Sequence, residues 1–135
     1  MINSNNNTTP KLVSTKPFIF KIALVVSFIL ISYLVFSQPN FNPSWIPYFD
    51  KLAHFGSFFL LSYLAYFAFK PNHYTLVSIL GFYAMAIEVV QSLLPYRSAS
   101  FADLLADFVG MLCFYLSHLI YLQLTQKMNE ISSKH

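Results

Sequence analysis

Charge is what this chain has least of. Lys, Arg, Asp and Glu make up 10% of 135 residues, well under half the share of an ordinary soluble domain. The few cations form no basic reading helix, so a nucleic-acid partner is excluded. Cysteine is nearly absent: Cys113 stands alone, which rules out an intrachain disulfide and a redox pair and leaves it a packing role. No internal repeat is present, and four spans without one offer a lone transporter little symmetry for alternating access. A nucleophile-elbow motif is also missing, so Ser57, Ser98 and Ser100 are weak candidates for serine catalysis.

Apolar residues fill the space instead. They make up 56% of the chain, aromatics 19%, and mean hydropathy is +0.55. Long runs cover residues 18–36, 51–69, 74–94 and 102–124, each close to the ~20 residues that cross a ~30 Å hydrocarbon core. Trp45, Tyr48, Tyr74 and Tyr96 fall at the run ends, where amphipathic rings suit a membrane interface. The expected fold is all-α, a bundle of four transmembrane helices. Residues 1–17, rich in Asn, Thr and Ser, read as a disordered tail, 18–124 as the membrane domain and 125–135 as a cytoplasmic tail.

Punctuation supports this division. Pro17 opens the first run, Pro39, Pro43 and Pro47 occupy a loop that cannot be helical throughout, and Pro95 closes the third run. Lys70, Pro71, Asn72 and His73 make a tight connection, and Ser100 stands at an N-cap position before the acidic start of the fourth run. Lys11, Lys16, Lys21, Lys70, Lys127 and Lys134 fall on one side of the alternating spans and only Lys51 and Arg97 on the other. The positive-inside rule then puts both termini in the cytoplasm. Cleavage of the first run as a signal peptide is the competing reading, and it leaves the polar residues on the same, extracytoplasmic face.

Those polar residues are the main signal. Asp50, Lys51 and His54 open the second run, Glu88 and Gln91 lie near the end of the third, Arg97 occupies the following turn, and Asp103 and Asp107 open the fourth. Alternating spans gather them all at one membrane face. An ionisable group inside a bilayer costs ~2.5–3.5 kcal/mol on insertion scales, so such a cluster reads as functional. Helical spacing aligns Asp50 with His54, Glu88 with Gln91, and Asp103 with Asp107; Gly81, Ala84 and Gly110 continue these faces and permit close helix approach. The expected site is a polar pit with Glu88, Arg97 and Asp103 central and Asp50, Lys51, His54, Gln91 and Asp107 around them. A purely structural network is the alternative, with Arg97 and Lys51 neutralising the carboxylates and Arg97 pairing Asp103. The first run, carrying only Lys21, reads as a peripheral scaffold.

The order Asp50-Lys51-x-x-His54-Phe55, Glu88-x-x-Gln91, Arg97-x-x-Ser100-x-x-Asp103-x-x-x-Asp107-x-x-Gly110 resembles the VanZ-like family of bacterial membrane proteins over roughly residues 45–120. The family takes its name from a protein linked to resistance to the glycopeptide teicoplanin, and the resemblance implies a cell-envelope role in the bacterial cytoplasmic membrane. Asp107 stands where the family more often has Asn, which makes this pit more acidic.

Two functional classes follow. The favoured one binds an envelope lipid, a lipid-linked cell-wall precursor or a glycopeptide head group: Arg97 and Lys51 at the rim meet phosphate, and Glu88 and Asp107 at the floor meet an ammonium or sugar hydroxyls. The other is a membrane-embedded enzyme on such a substrate, with Glu88, His54 or Asp103 in acid–base roles. His54 has no second histidine near it and makes a weak zinc signal, so no metal or other cofactor is expected. His73 and His118 read as interfacial or packing residues, and a homo-oligomer is compatible with the sequence.

Overall fold

The computed structural model describes residues 16–38 and 48–133. The loop of Pro39, Pro43 and Pro47, and all but the end of the expected disordered tail, lie outside the described residues. Four helices follow in order: α1 Lys16–Phe36, α2 Phe49–Phe69, α3 His73–Ser92 and α4 Phe101–Ser132. All four are long and apolar enough to cross a membrane.

Each boundary has a local cause. Pro17 sits in the first turn of α1, where its missing N–H would have no intrahelical partner anyway. Lys70 ends α2 in the left-handed conformation (φ 49°), its N–H donating to the Tyr66 carbonyl, and Pro71 prevents continuation. Asn72 then caps α3 by accepting the Thr75 N–H at 2.8 Å. Helix α3 stops three residues before Pro95. Its last carbonyls, on Val90 and Gln91, accept from Leu93 and Leu94. Helix α4 does not end with its apolar run: it continues to Ser132, through most of the expected C-terminal tail.

Helices α2 and α4 pack most intimately, and Gly110 is the reason. A Cβ on it would collide with the Phe55 carbonyl oxygen and sit 3.1 Å from the Phe59 nitrogen, so the two backbones touch there. Beyond that crossing, Phe114 meets Phe59 and Tyr63 edge-on, with ring centroids 6.2 and 6.3 Å apart. The core joins Phe58 and Leu61 of α2, Leu80, Ala84 and Ile87 of α3, and Met111 and Phe114 of α4. Helix α1 contributes only Ile31 to the buried set. It lies on the outside of the bundle, where Phe20 stacks on Phe67 and Phe28 on Tyr83.

Candidate functional site

One end of the bundle collects the start of α2, the end of α3, the start of α4 and the end of α1. Lys51 Nζ donates to Asp103 Oδ1 at 3.0 Å. His54 Nδ1 donates to Asp107 Oδ1, also at 3.0 Å. Glu88 Oε2 accepts the backbone N–H of Ser100 at 2.7 Å. That last contact seats a carboxylate on the N-terminus of α4, where the helix dipole favours negative charge. Ser100 does occupy the N-cap position, but its hydroxyl makes no capping bond; its backbone binds Glu88 instead.

Burial grades the site from rim to floor. Asp50 is 60% exposed, Lys51 38% and Arg97 19% at the side chain. His54, Glu88, Gln91, Asp103 and Asp107 are all buried, Asp107 completely. Of the expected central trio, Glu88 and Asp103 are buried and Arg97 is not, while His54 and Asp107, expected around it, are buried with them. Arg97 lies to one side: its terminal nitrogen donates to the carbonyls of Leu34 and Ser37 at 3.1 Å each, and its nearest carboxylate is Asp50 at 4.0 Å. The Arg97–Asp103 pair of the alternative, structural-network reading is not formed; Asp103 pairs with Lys51, and the open carbonyls ending α1 take the guanidinium instead.

Helix α1 is therefore peripheral to the core yet tied to the site. Gln91 Nε2 donates to the Val35 carbonyl at 3.3 Å and the Tyr96 hydroxyl to the Phe36 carbonyl at 3.1 Å. One turn deeper, the hydroxyls of Ser32 and Tyr83 share a hydrogen bond of 2.7 Å. The α3–α4 turn thus caps the C-terminus of α1 with side chains. Nothing in the sequence marked those carbonyls or Tyr83 as partners, since every residue carries a carbonyl and only tertiary placement selects which are used.

Several polar atoms in this region are buried without a partner among the described residues: Glu88 Oε1, Asp107 Oδ2 and Arg97 Nε. Two sets of side chains also offer metal-ligating atoms within 4.8 Å of one another, His54–Glu88–Asp107 and Asp50–His54–Asp103. The chemistry available is recognition of a bipolar group at the rim and cation or proton binding at the floor.

No curated protein and no solved structure gives a significant match to the chain. A family profile described as VanZ/LLP1 matches residues 2–122, which takes in α1, α2, α3, every polar residue of the site and most of α4. With that match over most of its length, the chain is a multi-pass membrane protein of the VanZ/LLP1 family.

Proposed function

We propose that this polar end faces outward from the bacterial cytoplasmic membrane and binds the phosphate-bearing head group of an envelope lipid or lipid-linked cell-wall precursor. The observation that carries the reading is the mixed-charge rim, in which exposed Asp50 stands beside Arg97 and half-exposed Lys51 at the helix ends. Helix ends lie near the depth of lipid phosphates, where a charge-assisted contact requires little dehydration. Lys51 spends one N–H on Asp103 and keeps others for a phosphate oxygen. An ammonium on the same head group falls to Asp50, because Asp107 is fully covered and Glu88 only 9% exposed. The floor carboxylates first expected to meet that amine are out of its reach. A glycopeptide amine would use the same rim, which is how the reading extends to teicoplanin resistance.

Native mass spectrometry of gently purified protein tests this. A bound phospholipid or lipid-linked precursor should be retained, and Lys51→Ala or Arg97→Ala should weaken it. Only annular lipid, unchanged by either substitution, would defeat the reading. The His54–Asp107 pair favours a second one, a membrane-embedded enzyme, since a carboxylate on Nδ1 fixes the imidazole tautomer and orients the ring for acid–base work. Turnover of the retained lipid, abolished in His54→Gln, would select the enzyme over the binder.

A further inference from the structure

We propose that His54, Glu88 and Asp107 form a binding site for a first-row divalent cation such as Zn²⁺ or Mn²⁺, in the floor beneath the rim. This departs from the sequence-based expectation of no metal, and it stands whether or not the rim binds a head group.

Charge balance is the first ground. Four carboxylates and two cations meet at this end. Asp103 is matched by Lys51 and Asp50 faces Arg97. Among the described residues neither Glu88 nor Asp107 pairs with a Lys or Arg, though both are buried. Among the described residues their side-chain oxygens have only the Ser100 N–H and the His54 ring as hydrogen-bond partners, each on one oxygen. With His54 neutral, as a metal ligand must be, a divalent cation would balance both carboxylates in one step.

Unused valence is the second ground. Glu88 Oε1 and Asp107 Oδ2 are buried and accept no hydrogen bond, and a carboxylate oxygen out of water calls for a donor or a cation. Geometry is the third. The three ligand atoms lie within 4.8 Å of one another, whereas an ion ~2.1 Å from each in tetrahedral array would separate them by ~3.4 Å. Separations within that bound include the spacing such an ion requires. Three separate helices hold the donors, so the cation would also pin α2, α3 and α4 together.

The donor set chooses the class of ion. One imidazole and two carboxylates suit Zn²⁺, Mn²⁺ or Fe²⁺ better than Mg²⁺ or Ca²⁺, which prefer all-oxygen shells. Three protein ligands leave positions open to water or to an anion. The alternative set, Asp50–His54–Asp103, is weaker because Asp103 is already held by Lys51 and Asp50 is largely in solvent.

The test uses full-length protein in detergent, stripped with a chelator and titrated with Mn²⁺ alone, the free ion being counted by electron paramagnetic resonance. A single saturable site is expected, with pulsed measurements showing an imidazole nitrogen bound to the metal and Zn²⁺ displacing it. Glu88→Gln and Asp107→Asn should weaken binding at least tenfold, since even outer-shell partners of a metal site are worth about 10–100-fold. His54→Gln should remove the nitrogen signal, and His118→Gln, at the far end of the bundle, should leave it intact. The unaltered protein alone can overturn the proposal, by binding no Mn²⁺ saturably or by binding it without an imidazole nitrogen. Undiminished affinity in folded Glu88→Gln, or loss of the site in His118→Gln, would overturn it equally. No lipid enters the titration, so its failure leaves the head-group reading standing.

Discussion

Asp107 and Lys51 show how burial, more than charge, decides what a substitution does. Asp107→Asn keeps an oxygen for the His54 N–H while discarding a buried carboxylate, so thermal unfolding of chelator-stripped protein in detergent should move little or upward. Asp107→Leu strands the His54 ring in a closed site and should cost about 1–3 kcal/mol, the penalty of a buried polar group left unsatisfied. A drop in stability as large for Asn as for Leu would show that the charge itself holds the fold. The Lys51–Asp103 pair should be lopsided in the same way. Lys51→Ala leaves Asp103 2% exposed without its Lys51 partner, whereas Asp103→Ala releases Lys51 to water, which it already reaches. Melting temperatures should therefore fall further for Lys51→Ala than for Asp103→Ala, and the opposite order would contradict this burial argument.

Among the helices, the sequence was most readable where one residue type has one physical use. The four apolar runs fixed the helices to within a few residues except at the end of α4, because hydrocarbon length and proline placement act locally. Gly110 was readable too, as a small residue on the face of Asp103 and Asp107. Gly110→Ala should separate α2 from α4 and sharply reduce the yield of folded protein, because the obstacle is backbone. Gly81→Ala meets only the Phe108 ring edge at 3.1 Å, and rotation of that ring should keep its yield near the unaltered level. Equal yields for both would mean that the α2–α4 crossing is looser than described. The docking of α1 was not readable. Its lack of ionisable residues beyond Lys21 suggested a scaffold, and its role as acceptor for Gln91, Tyr96 and Arg97 resides in carbonyls identical to all others. For the same reason the Arg97–Asp103 pair of the structural alternative did not form, while His54, already a candidate on α2, met its partner only where α4 brings Asp107 beside it.

At the scale of the molecule, the site lies at one end of the bundle, and α4 gives a ruler for testing which side of the membrane that end meets. Its 32 residues extend ~48 Å at 1.5 Å per residue, beyond a ~30 Å hydrocarbon core. A single crossing by α4 would bring its start, beside Ser98, and its far end, near Lys127, out on opposite sides. Both residues are exposed, and Cys113 can be replaced first to give a blank background. The predominance of Lys on the Lys127 side argues that this end is cytoplasmic. A membrane-impermeant thiol reagent added to intact cells should then label Ser98→Cys and spare Lys127→Cys until the membrane is opened. Labelling of Lys127→Cys alone in intact cells would turn the molecule over, place the rim and its buried carboxylates on the cytoplasmic side, and remove extracytoplasmic precursors from the candidate ligands. Labelling of both would show that the two ends of α4 share one side, and α4 would then not be a single crossing.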